Sequence, residues 1–238
     1  MDFKKKILPA SPSQILSQNG YYLWCGSVVK DEAGLYHMFS SRWETAKEFR
    51  SWVTASSIVR AVSNSPEGPF EIVEELSSLK SQPWSDKMVH NPTVITYAGK
   101  YYLFYIGTTY PPSAPDIPGE TGVYQVATHP ARFNQRIGVA VADSPKGPWI
   151  PSGNNPILRP RIGCWDSTFV TNPSVFVEDS GEIRMIYKSK REEDPKLILG
   201  LAVAQDPEGP YVRQGPSPLF EYDVEDPFIC LLYTSRCV

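Results

Sequence analysis

His90-Asn91-Pro92-Thr93-Val94-Ile95 and Thr171-Asn172-Pro173-Ser174-Val175-Phe176 are two copies of one phrase, a turn-forming pair ahead of an apolar, largely β-branched run. Trp24-Cys25-Gly26-Ser27-Val28-Val29 and Glu225-Asp226-Pro227-Phe228-Ile229 are two further versions. After the first three comes an aromatic-rich strand: Leu35-Tyr36-His37-Met38-Phe39, Tyr101-Tyr102-Leu103-Phe104-Tyr105 and Ile183-Arg184-Met185-Ile186-Tyr187. A third strand then runs into a nearly fixed turn, Ser65-Pro66-Glu67-Gly68-Pro69-Phe70, Ser144-Pro145-Lys146-Gly147-Pro148-Trp149 and Asp206-Pro207-Glu208-Gly209-Pro210-Tyr211. Repetition on this scale is the mark of a radial or solenoid architecture.

Spacing selects between them. Gly26 to Pro92 is 66 residues, Pro92 to Pro173 is 81 and Pro173 to Pro227 is 54. These periods are too long and too variable for a helical solenoid, and they suit a four-stranded antiparallel blade of a β-propeller. In the turns, the first proline presets φ, the glycine supplies a positive φ, and the second proline stops the ladder. The expected fold is all-β, with Val28, Val94 and Val175 on equivalent inner strands. Segment 44–56 is read as at most a helical turn, with Trp52-Val53-Thr54 opening a strand.

The chain is 41% hydrophobic and 12% aromatic, with 23 prolines and 16 glycines, enough apolar mass for a real core. Its net charge of −3 and the lack of any basic run beyond Lys4-Lys5-Lys6 give no footprint for nucleic acid. No apolar run approaches the roughly 20 residues that span a bilayer, so no membrane partner is expected. Pro9 and Pro12 break the stretch after the lysines too early for a signal peptide, and the default expectation is the cytoplasm. Cys25 and Cys164 show neither metal spacing nor a disulfide framework, and neither a metal nor a cofactor is expected.

The tail from Cys230 to Val238 matches nothing else in the chain. Codons TGT CTC TTA TAC ACA TCT encode Cys230 to Ser235 and reproduce a transposase mosaic end, whose inverted copy continues as Arg236-Cys237-Val238. Residues 230–238 are therefore expected to be a non-native tail. Residues 1–19 would form an N-terminal extension and residues 20–229 about three blades plus the first strand of a fourth. An unclosed ring leaves a sheet edge exposed, and little turnover is expected of such a fragment.

The strand-opening Asn-Pro-Ser and Glu-Asp-Pro phrases, the Tyr-Tyr-Leu-Phe-Tyr strand and the Ser-Pro-x-Gly-Pro turns resemble the five-bladed β-propeller glycosidases, glycoside hydrolase family 43 and its relatives. The resemblance covers residues 20–229. It implies a carbohydrate substrate and carboxyl groups where the innermost strands begin, around the channel mouth. Glycoside hydrolysis uses two such groups, about 6.5–9.5 Å apart for inversion or about 5–5.5 Å for retention. This chain departs from the pattern: Cys25 and Asn91 stand where the family places aspartates, and an amide transfers no proton.

Among the remaining carboxylates, Asp166 follows its tryptophan directly and is expected to reach the channel. Glu225 is expected to act as general acid or base, with adjacent Asp226 mostly structural ahead of its proline. Trp84 and Trp165 each stand seven residues before an asparagine, as blade packing or as a sugar platform. The expected binding residues are Trp24, Trp43, His90, Asn91, Trp165 and Asn172, with Arg42, Arg136 and Lys188 adding positive charge. Such a pocket suits a uronic or sulfated sugar. Two other readings stay open: a propeller phosphorylase, whose cations bind inorganic phosphate, and a non-catalytic carbohydrate-binding propeller.

Overall fold

The computed structural model describes residues 9–117 and 123–229. Its strands form three four-stranded antiparallel sheets, each drawn from one stretch of chain with strand order following chain order. The first holds β1 (Tyr21–Lys30), β2 (Tyr36–Glu44), β3 (Ser57–Ser63) and β4 (Glu71–Glu75). The second holds β5 (Met88–Tyr97), β6 (Lys100–Thr108), β7 (Arg136–Ala142) and β8 (Ile150–Pro151). The third holds β9 (Val170–Val177), β10 (Ile183–Lys190), β11 (Leu197–Ala204) and β12 (Val212–Arg213). The opening strands are innermost, with β5 packed against both β1 and β9. Val28, Val94 and Val175 lie on these three strands, opposite Met38, Leu103 and Met185.

The recurring turn is a clamp between blades. Gly68, Gly147 and Gly209 sit at φ +88°, +85° and +83°, and their amides donate to Ser65, Ser144 and Asp206 carbonyls. The side chains of those three residues accept from the amides of Glu67, Lys146 and Glu208. The aromatic residue after the turn reaches the preceding blade. Trp149 meets Phe39 edge-on at 5.2 Å, and Tyr211 meets Phe104 likewise at 6.5 Å. Trp149 Nε1 and Tyr211 Oη donate back to the carbonyls of Pro145 and Pro207, so each ring is fixed at both ends. Rings in this geometry add to the hydrophobic gain from their burial.

Trp84 and Trp165 belong to blade packing. Trp84 stacks on Tyr105 at 5.6 Å and Trp165 on Tyr187 at 5.9 Å. A Cβ on Gly138 would sit 2.4 Å from Trp84 Cζ2, and one on Gly200 2.3 Å from Trp165 Cη2. The glycines let each indole lie flat on its own sheet.

Two expectations are corrected. Trp52-Val53-Thr54 opens no strand: these residues form a short helix, α1 (Trp52–Ala55), after two 3-10 turns, and the strand begins at Ser57. Glu225 to Ile229 forms no strand ladder among the described residues. The segment still occupies a repeat position, since Ile229 N donates to Ser174 Oγ at 2.9 Å just as Val94 N donates to Ser27 Oγ at 3.0 Å. The proposed tail, 230–238, lies outside the described residues. So does 1–8, part of the proposed N-terminal extension.

Candidate functional site

The four repeat openings share one backbone feature. Cys25, Asn91, Asn172 and Asp226 have φ of 50°, 47°, 49° and 55°, left-handed values that asparagine and aspartate tolerate better than most residues. The ladder skips at the same places, between Trp24 and Gly26 and between His90 and Thr93. Such a bulge breaks strict alternation, so consecutive side chains reach one end of the fold. His90 and Asn91 line one pocket there, and Glu225 and Asp226 line it too.

The four left-handed residues are joined across the axis. Cys25 Sγ donates to Asn91 Oδ1 at 3.0 Å, Asn91 Nδ2 to Asn172 Oδ1 at 2.7 Å, and Asn172 Nδ2 to Asp226 Oδ1. Every bond runs toward the carboxylate. Thr171 Oγ1 adds a donor to Asn172 Oδ1 at 2.7 Å, and Ser41 Oγ accepts from Asn91 N at 2.8 Å. Burial, then the Asp226 carboxylate, push the Cys25 thiol up to about 12, which keeps it protonated and a donor. Asn91, Asn172 and Asp226 line both the mouth pocket, about 390 Å³, and the channel space, about 650 Å³. The chain of side chains is thus a floor between the two.

Above the floor stand aromatic walls. Trp24 is 47% exposed and Phe49 39%, facing the mouth with Trp43 and Trp52. Phe49 meets Trp24 and Trp43 at 5.6 Å, and Trp52 stacks on His90 at 4.9 Å. His90 shares a 2.8 Å hydrogen bond with Ser56 through Nδ1. Burial, then Lys188 and Arg132, pull it down to about 3, so it is neutral at physiological pH. Lys188, with its side chain only 4% exposed, pairs with the Glu225 carboxylate and lies 3.6 Å from Asp226 Oδ1. Arg132 comes from α3 (Pro130–Phe133), next to α2 (Val123–Thr128), whose Val126 and Ala127 also line the mouth.

Trp24, Trp43, His90, Asn91, Asn172 and Lys188 therefore meet at one pocket, with Glu225 and Asp226 beside them. Four expected residues do not. Asp166 is fully buried away from it, accepting from Arg161 Nε at 2.9 Å, Tyr187 Oη at 3.0 Å and Arg213 Nε at 2.5 Å. Both its oxygens are used in tying the loop before β9 to β10 and β12, which explains why it does not reach the channel. Trp165 is held by Tyr187 and Gly200, as above. Arg42 is turned outward by Gln18 at 2.9 Å, Glu75 at 2.5 Å and the Tyr21 ring. Arg136 donates to its neighbour's carbonyl, Asn134 O, at 3.3 Å and lies outside the mouth.

Sequence reasoning missed Phe49, Arg50, Trp52 and Arg132, all of which line the mouth. The signals available were an aromatic and basic loop between two strands, and a His129-Pro130 pair that starts a helix, where the His129 ring accepts from Ala131 N.

The fold and the mouth pocket define a β-propeller with a polar, aromatic-walled site where its inner strands begin. No family model matches the chain. In structure it is similar to a family 117 glycoside hydrolase of the marine bacterium Zobellia galactanivorans, with a TM-score of 0.61 and 24% identity over 84% of this chain and 58% of that one. It is also similar to a family 43 β-xylosidase/α-arabinofuranosidase from a compost microbial metagenome, with a TM-score of 0.52 and 18% identity over 81% of this chain and 58% of that one. In sequence it is 30% identical over 105 residues to a β-xylosidase of Xylanibacter ruminicola, 44% of this chain and 24% of that protein. It is likewise 30% identical over 124 residues to xylosidase/arabinosidase 43A of Humicola insolens, 50% of this chain and 28% of that protein. The chain spans about a quarter of the length of these curated relatives. The resemblance read from the repeats is borne out: the chain resembles the propeller glycoside hydrolases of families 43 and 117.

Proposed function

We propose that the chain is a glycoside hydrolase acting on an oligo- or polysaccharide, with its site at the mouth pocket. The observation that carries this is the placing of Glu225, paired with buried Lys188, beside a wall of exposed aromatic rings. Aromatic faces stack on the apolar face of a sugar, while a half-exposed carboxyl at the rim can transfer a proton to or from the scissile oxygen. Glu225 is the proton-transfer group in this reading. Asp226, held by Asn172, is the second carboxyl, and His90 and the two asparagines bind hydroxyls. The cations at the mouth suit a uronic or sulfated sugar.

Three cations, Arg50, Arg132 and Lys188, face two carboxylates there, and this excess favours phosphorolysis as a second reading. The chain is incubated with nitrophenyl xylosides, arabinofuranosides and glucuronides, with and without inorganic phosphate. Free sugar without phosphate, lost in Glu225→Gln, supports hydrolysis. Sugar phosphate formed only with phosphate replaces it by phosphorolysis, and binding without any release leaves a carbohydrate-binding propeller.

A further inference from the structure

We infer that Arg132 is a recognition residue for the carboxylate of a uronosyl unit, held in the mouth pocket against the ring that Trp24 and Trp52 wall. This rests on the proposed reading of the pocket as a sugar site and deepens it.

Arg132 is set apart by its pairing from six arginines of the fold. Arg42, Arg60, Arg161, Arg184, Arg191 and Arg213 each hold a carboxylate within ion-pair distance. The Arg132 guanidinium, among the described residues, donates only to the neutral amide oxygen of Gln135, at 3.3 Å. A guanidinium carries five N–H donors, so most of its capacity is open to whatever enters the pocket. Its carbon lies 4.5 Å from the Phe169 ring centroid and 5.4 Å from that of Trp52. Two rings flank the group, and a planar fork held between them matches a carboxylate through two parallel hydrogen bonds.

Electrostatics points the same way. Burial pulls Arg132 down to about 10 against the opposing attraction of Glu225, yet it remains charged at neutral pH. Glu225 is already engaged by Lys188. Lys188 in turn stands near both pocket carboxylates, which leaves Arg132 as a partly buried pocket cation without a hydrogen-bonded anion among the described residues. A desolvated charge in that state favours a ligand that brings an anion into it. The ring contacts limit the side-chain entropy that Arg132 loses when a ligand binds.

The test is binding of glucuronic and galacturonic acid, glucose and galactose to the whole chain, read by calorimetry or ligand-observed NMR. The uronic acids are expected to bind about tenfold to a hundredfold more tightly than their neutral counterparts, the range of a charge-assisted hydrogen bond. Arg132→Gln is expected to erase that preference, bringing the acid and neutral sugars to about equal affinity. Arg132→Lys, which keeps the charge and loses the fork, is expected to lose about tenfold of it, and serves if the glutamine variant fails to fold. Equal affinity for acid and neutral sugars, or a preference that survives in both variants, overturns the inference. So does displacement of the uronic acid by equimolar inorganic phosphate or sulfate, which would show a site for a free oxyanion. Arg132-dependent uronate binding without turnover sinks the hydrolase reading alone, and turnover of glycosides with no Arg132-dependent preference for uronosides sinks this inference alone.

Discussion

Asn91 Nδ2 donates to Asn172 Oδ1 at 2.7 Å, joining residues 81 apart in the chain across the axis of the fold. Each is the second residue of its repeat, and each sits at a left-handed φ. The same kink that turns the amide inward also makes an asparagine the economical residue at the position.

Two contributions at Asn172 separate by substitution. Asn172→Ala removes the bridge from Asn91 to Asp226 and puts a β-carbon at φ 49°. A loss of about 1–3 kcal/mol is expected from stranding the partners, with about 1 kcal/mol more from backbone strain. Asn172→Gly restores the backbone but not the bridge, so it should be the milder variant in urea unfolding. Equal losses would show that the left-handed backbone contributes nothing.

The glycines under the tryptophans give a second expectation. Gly138→Ala and Gly200→Ala force a Cβ into an indole at 2.4 and 2.3 Å. Overpacking of this kind costs about 1–3 kcal/mol or more. Gly153→Ala meets nothing within 4 Å and serves as the control. Thermal melting and near-ultraviolet circular dichroism are the readouts, and an unperturbed Gly200→Ala would mean that Trp165 swings free of its sheet.

These two cases also show what the sequence makes legible. The blade repeat is carried by local chemistry: prolines and glycines that fix turns, alternating β-branched runs, and a tryptophan seven residues ahead of each asparagine. Those signals act within one blade and survive without tertiary information, as do the positions of His90, Asn91 and Asn172 at strand openings and of Lys188 near the end of a second strand. Arg132 and Trp52 reach the pocket from connections between strands, whose course depends on what they pack against. Val53, Tyr110, Ile117 and Val126 form a small apolar cluster joining those two connections, and no periodicity announces it. Asp166 was misplaced for the converse reason. Adjacency to Trp165 fixes its position along the chain but not the side of the sheet, and Arg161 and Arg213 draw it inward.

His90 makes stability depend on pH with a defined sign. Its ordinary value of 6.5 falls to about 3 in the fold, chiefly through burial. Between those values the unfolded chain holds a proton that the folded chain does not, so this contribution is complete above about pH 6.5 and is lost as pH falls toward 3. Burial also depresses His37, against its hydrogen bond with Asp31, and acts in the same direction. The urea midpoint of the chain should therefore drop between neutral pH and about pH 5, and the drop should be smaller in His90→Gln. An identical slope in the variant would mean that His90 is protonated in the fold.

Glu225 and Lys188 separate chemistry from support. Glu225 is half exposed while Lys188 is nearly buried, so the pair is asymmetric. Glu225→Gln keeps the shape, and Asp226 remains 3.6 Å from the ammonium to balance it. Melting should change little, because a partner that exposed contributes only modestly to stability. Proton transfer by a positioned carboxyl is worth about a hundredfold to ten-thousandfold, and turnover should fall by that amount with sugar affinity retained. Lys188→Ala acts differently. It leaves two adjacent carboxylates without their counter-ion and opens space beneath the mouth, so it should lower the melting temperature and weaken binding together. Turnover undiminished in Glu225→Gln would remove Glu225 from the reaction, while a Lys188→Ala variant that melts and binds like the parent would show that the ion pair organises nothing.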